Sequence, residues 1–166
     1  MAGLGDNPFA ALTIVVAPAV LTNASSVLCL GTGNRIARVV DRTRVLNAEL
    51  ATLPLDDARR ESLLKQLARL RVRGHLLLGA LRFLYTSIGS FAAAALISII
   101  GALIATRAGD GTFHAFALLG LAVGTVGVMG LVVGCTMMVR ETGLAVDFLS
   151  EELDLAGEHP TPGAPI

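Results

Sequence analysis

The chain has 166 residues, 54% of them hydrophobic and 16% charged, with a mean hydropathy of +0.71 and a formal charge of zero. Soluble domains carry charge on about a quarter of their residues, so a water-soluble globular domain is excluded and a bilayer is the expected solvent. Cys29 and Cys135, the two cysteines, both fall in apolar runs; they form neither a disulfide framework nor a metal-ligand spacing and read as small packing residues.

Met1 to Asn7 carries Asp6 and no basic residue, so a cleaved secretory signal is not expected. Pro8 to Gly33 then runs for 26 residues without a charge. At 1.5 Å per helical residue this exceeds the hydrocarbon thickness of about 30 Å, and it reads as the first transmembrane helix. Pro18 is expected to kink it. Thr22, Asn23, Ser25 and Ser26 follow near mid-span, where an amide should face protein or water and not lipid. Pro18, Thr22, Ser25, Ser26, Cys29 and Gly33 recur at offsets of three and four, a weakly polar stripe on one helical face. The stripe is either a packing seam between helices or the lining of a narrow aqueous pathway in an oligomer.

Asn34 to Arg73 gathers ten of the thirteen Lys and Arg residues. Apolar positions Ile36, Val39, Val40, Leu46, Leu50 and Leu53 keep a helical period, so the first helix is expected to continue out of the membrane. Asp41 sits three residues from both Arg38 and Arg44 and suits an intrahelical ion pair; a carboxylate bridging two helices is the alternative. Leu53-Pro54-Leu55-Asp56-Asp57 is the turn, an aspartate caps the next helix, and Glu61 suits its dipole. Leu63, Leu64, Leu67, Leu70, Leu77, Leu78 and Leu81 give that helix an apolar face, and the two helices should close as an antiparallel hairpin.

Ten bases in this connector, against none before the first span and Arg107 in the other loop, place the hairpin on the cytoplasmic side by the positive-inside rule. The N-terminus is then outside and the C-terminus inside. A basic hairpin beside a membrane also attracts anionic headgroups, at about 1 kcal/mol per charge, so Arg35, Arg38, Arg42 and Arg44 are the candidate lipid or partner contacts. Nucleic acid is not an expected partner, because neither aromatic interleaving nor a recognition motif accompanies the basic residues.

Arg82 and Tyr85 mark the inner edge of the second span, Phe83 to Thr106. Gly89, Ala93, Ala94, Ser98, Gly101 and Ala105 supply small surfaces for close helix packing. Residues 107–112 form the outside loop. The third span, Phe113 to Val139, holds Gly120, Gly124, Gly127, Gly130 and Gly134, which fall within an arc of about 120° at 100° per residue. Such a stripe predicts tight helix packing, either within the chain or against a second copy.

Residues 140–158 read as an amphipathic helix with Leu144, Phe148, Glu152 and Leu155 on one side. They hold six acids against one base, net −5, whereas residues 34–82 hold eleven bases against five acids, net +6. Both segments lie on the same side, so the acidic helix is expected to dock on the basic hairpin; a solvated acidic tail is the alternative. Pro160 to Ile166 is Pro-rich and expected to be disordered.

No Asp or Glu lies inside a span, which weakens pump and transporter readings. Gly31-Thr32-Gly33 lacks the spacing of a phosphate loop. No nucleophile with a nearby base can be assembled, so an enzyme, a cofactor and a metal are all unexpected.

Asn34-Arg35, Val39-Val40-Asp41-Arg42, Arg44 and Leu46, behind an Ala17-Pro18-containing first span and ahead of two more spans, resemble a bacterial membrane-protein family known as domain of unknown function 2721. The likeness covers about residues 9–150. It implies a small three-span bacterial inner-membrane protein with no assigned activity. The reading is therefore an all-α integral membrane protein, expected to form homo-oligomers because three thin, glycine-rich helices bury little surface alone. It is either a channel lined by its first helix or a non-conducting scaffold that uses its basic hairpin.

Overall fold

A computed structural model of the chain describes the backbone of residues 8–54, 57–108 and 110–158; side chains of 8–15, 58, 105–108, 110, 112–113 and 147–158 are not described. It is all-α: α1 Pro8–Thr52, α2 Ala58–Ala108 and α3 Asp110–Glu158. At 1.5 Å per residue these helices are about 68, 77 and 74 Å long, each more than twice the hydrocarbon thickness of about 30 Å. Every one of them must therefore project well beyond a bilayer. All three are apolar enough to cross one, so the protein is a multi-pass membrane protein.

The expected elements merge into longer ones. First span and first arm of the hairpin are one helix, α1, which stays helical through Pro18. Second arm and second span are α2, and third span and acidic segment are α3. The six-residue loop expected between spans narrows, because α2 reaches Ala108 and α3 begins at Asp110.

At the α1–α2 turn, the Asp57 Oδ1 accepts from the Arg59 amide at 2.9 Å. The Asp57 carbonyl accepts from the Arg60 amide at 2.9 Å, so Asp57 caps α2. Arg59 also reaches back to Glu49 of α1 at 2.8 Å, tying the two arms together beside the turn. One turn into α2, Lys65 pairs with Glu61 at 2.8 Å. That hydrogen bond, then the lysine charge, holds the Glu61 carboxyl below the ordinary glutamate range.

α2 lies between the other two helices, packing along α3 on one flank and α1 on the other. It supplies most of the buried apolar side chains: Leu63, Leu77, Ala80, Leu84, Phe91 and Ala94. α3 meets it through glycines. A Cβ on Gly127 would lie 2.7 Å from the Phe91 ring, one on Gly130 2.7 Å from Ser87 Oγ, and one on Gly134 3.1 Å from Leu84. Gly120 faces Ser98 and Gly124 faces Ala94. The partner of the glycine stripe is thus α2 of the same chain, and the absent side chains let the two backbones approach where hydrophobic burial cannot drive association in lipid. The outward surface of the spans is apolar, with Val20, Leu30, Leu96, Leu103, Leu121 and Met129 at least 60% exposed, as expected where lipid and not water is the neighbour.

Candidate functional site

Where α1, α2 and α3 leave their apolar runs, three charged side chains converge. Arg35 follows the last uncharged residues of α1, Arg73 lies two helical turns before Leu81 on α2, and Glu141 stands just past the third span on α3. Glu141 is 2% exposed. Its Oε1 accepts from Arg73 Nε at 2.9 Å and Arg73 Nη2 at 2.7 Å. Its Oε2 accepts from Arg35 Nη1 at 3.1 Å. One carboxylate therefore ties all three helices together, each oxygen held by a different helix. Carboxylates are rarely buried unless paired, and charge-assisted bonds of this kind are the stronger class.

Arg35 Nη1 also donates to the Thr142 hydroxyl at 2.9 Å, and that hydroxyl donates to the Met138 carbonyl at 3.0 Å. One turn deeper, the Thr32 hydroxyl donates to the Leu28 carbonyl at 2.8 Å with the Met138 sulfur 3.2 Å away. Among the described residues these are the polar links between α1 and α3, which otherwise stand apart with α2 behind them.

Two cavities open in the resulting gap. The outer one, about 340 Å³, is lined by Arg35, Arg38, Arg42 and Arg73 with Glu141, Thr142, Val39, Leu70 and Ala145. Arg35, Arg38 and Arg42 follow at offsets of three and four and share one face of α1. Four guanidiniums face one carboxylate there, so the cavity is strongly electropositive. The inner one, about 630 Å³, is a groove lined by Leu28, Cys135, Met138, Val139, Gly143 and Val146, and capped by Arg35 and Thr142. Arg35 and Thr142 line both, so the basic cavity and the apolar groove are neighbours.

Of the candidate contact residues, Arg35, Arg38 and Arg42 are brought together in this cavity, and Arg44 points away. Arg44 pairs at 4.0 Å with Asp41, both more than 70% exposed. Asp41 is thus the intrahelical partner and not a bridge between helices. The polar stripe of α1 divides in two. Ser25, Cys29 and Thr32 are buried, with Pro18 and Thr22 half-buried beside them, which is a packing seam. Asn23 and Ser26 lie on the neighbouring, exposed side. The Thr22 and Ser26 hydroxyls donate to the Pro18 and Thr22 carbonyls of their own helix at 2.8 Å, whereas the buried Ser25 Oγ has no hydrogen-bond partner among the described residues.

Sequence reasoning missed Arg73 and Glu141 as individuals. It did expect the acidic segment to meet the basic hairpin, and Glu141 makes that contact within one chain; the side chains from Asp147 to Glu158 lie outside the described residues, as do the stripe members Phe148, Glu152 and Leu155 and the tail 160–166. The signal available was position: Glu141 is the first acid after an uncharged span, at the depth where Arg35 emerges. No cluster of His, Cys, Asp and Glu suited to a metal occurs among the described residues.

Comparison with curated proteins and with solved structures finds no match. A family sequence model does match, over residues 15–151, which takes in most of the first span, the other two spans, the hairpin and the Arg35–Glu141–Arg73 cluster. The chain belongs to the family described as Protein of unknown function (DUF2721).

Proposed function

We propose that this is a non-conducting scaffold or accessory protein of the bacterial inner membrane, N-terminus outside and C-terminus cytoplasmic, whose basic helical end engages the anionic surface of the inner leaflet. The observation that carries the reading is the grouping of Arg35, Arg38, Arg42 and Arg73 around one cavity at the end of the apolar spans. Basic residues at that depth act on anionic lipid at about 1 kcal/mol each, and the excess of bases in this connector supports the cytoplasmic side. Exposed Val45, Leu64 and Val72 on the same polar end are surfaces a partner subunit or a second copy would cover.

The test uses purified full-length protein in mixed liposomes with spin-labelled lipids. Anionic lipid should be immobilised at the protein in preference to zwitterionic lipid, and the preference should weaken in salt. Equal immobilisation of both would end the reading.

A second reading, an oligomeric pore lined by α1, is favoured by Asn23, an exposed amide in the middle of an uncharged span. Its test is ion flux across liposomes containing the protein: the pore requires a conductance that Asn23→Leu alters.

A further inference from the structure

The basic cavity and the apolar groove share Arg35 and Thr142 in their linings, which sets a group of guanidiniums beside an apolar surface between α1 and α3. We propose that these two neighbouring sites together bind one anionic diacyl phospholipid, its phosphate among Arg35, Arg38 and Arg42 and one acyl chain lying in the groove between α1 and α3. The proposal rests on the scaffold reading and replaces a diffuse attraction to the leaflet with a single built site.

Three observations point to that ligand. The first is charge: Glu141 occupies Arg73 and one nitrogen of Arg35. Among the described residues, Arg38, Arg42 and the remaining guanidinium nitrogens of Arg35 have no partner, so the cavity holds unspent donors that match a phosphate in geometry as well as charge. The second is shape. A free phosphate would need only the outer cavity, but here a larger groove lies beside it, lined by Leu28, Cys135, Met138, Val139 and Gly143, a lining suited to hydrocarbon. The third is anchoring. Glu141 and Thr142 hold Arg35 between α1 and α3 beside the groove, so one of the three guanidiniums is in place before a lipid arrives, which lowers the ordering cost of binding.

The experiment is native mass spectrometry of the full chain in detergent, titrated with a diacyl phosphatidylglycerol and, separately, with a phosphatidylcholine bearing the same chains. Expected is one tightly held phosphatidylglycerol per chain and no comparable phosphatidylcholine. Loss of two surface charges in Arg38→Gln/Arg42→Gln should weaken it about thirtyfold. A Cβ on Gly143 meets nothing within 4 Å, so Gly143→Leu keeps the helix and fills the groove; it should weaken binding by a similar factor with all four arginines in place. Inorganic phosphate in millimolar excess should not compete.

Competition by phosphate, or full affinity in Gly143→Leu, overturns the lipid site in favour of an anion site. Arg44→Gln/Arg71→Gln removes the same charge at two arginines that line neither the cavity nor the groove. If it weakens binding as much as Arg38→Gln/Arg42→Gln, the specific site is overturned while the scaffold reading stands. Equal binding of the two lipids by the unaltered protein overturns both.

Discussion

Arg73 of α2 places two guanidinium nitrogens, at 2.9 and 2.7 Å, on a single oxygen of Glu141 of α3, leaving the other oxygen to Arg35 of α1. Truncating Glu141 to Ala strands both guanidiniums. Removing one partner of a buried ion pair costs about 3–5 kcal/mol. Arg35 is 44% and Arg73 29% exposed here, so water recovers part of that, and a loss of about 2–3 kcal/mol is expected. Replacing Arg73 and Glu141 together, Arg73→Met with Glu141→Leu, should lose less, since only Arg35 is then left without its carboxylate, and it is 44% exposed and still bonded to Thr142. Reversible unfolding in detergent, read as a double-mutant cycle, checks this; additive losses would show that the two side chains do not act as a pair.

The α2–α3 seam predicts different outcomes for glycines of one stripe. Gly130→Ala would put a methyl 2.7 Å from Ser87 Oγ and 3.2 Å from the Phe83 carbonyl oxygen, which is backbone and cannot swing aside. Gly124→Ala meets only the Ala94 methyl at 3.9 Å, an ordinary contact. Overpacking costs about 1–3 kcal/mol, so Gly130→Ala should fall by that amount and Gly124→Ala should be neutral or slightly stabilising. Thermal unfolding of the two variants side by side decides it, and equal effects would mean that the helices do not meet at this register.

The α1–α2 turn gives a local test. Asp57→Ala removes the cap on the Arg59 amide and should cost about 1 kcal/mol, with greater hydrogen exchange in the first turn of α2. Glu61 nearby is held below its ordinary range by Lys65. A depressed folded pKa stabilises above the unfolded value, and that contribution disappears as pH falls through the folded value. In Lys65→Met the Glu61 titration, followed by carboxyl NMR, should therefore move upward; no movement would remove the pair as its cause.

Much of the fold was legible because it is set by one-dimensional signals. Three charge-free runs longer than a bilayer is thick, Pro54 between two amphipathic arms, and five glycines at helical spacing fix three spans, one turn and one close seam. The site was half legible. Arg35, Arg38 and Arg42 lie at offsets of three and four on one helix, so their shared face follows from the sequence alone. Their meeting with Arg73 and Glu141 depends on the relative slide of three helices, which periodicity does not encode. The same limit explains the α1 stripe. Ser25 and Ser26 are adjacent in sequence, 100° apart on the helix, and only the position of α2 decides that Ser25 is buried and Ser26 exposed.

Asn23 carries the last prediction. Its side chain is exposed near the middle of an uncharged span, where an amide needs a partner, and Thr22 and Ser26 beside it already satisfy their hydroxyls within α1. A second copy of α1, related by a two-fold axis, would let two Asn23 amides bond each other. Such interhelical bonds contribute about 0.6–2 kcal/mol in a membrane, so Asn23→Leu should weaken self-association in detergent by about three- to thirtyfold per contact, read by energy transfer between labelled chains. Asn23→Gln, which keeps the amide, should associate nearly as well as the unaltered protein. Undiminished association of Asn23→Leu would mean that Asn23 does not join two copies, and absence of association in the unaltered protein would remove the contact altogether.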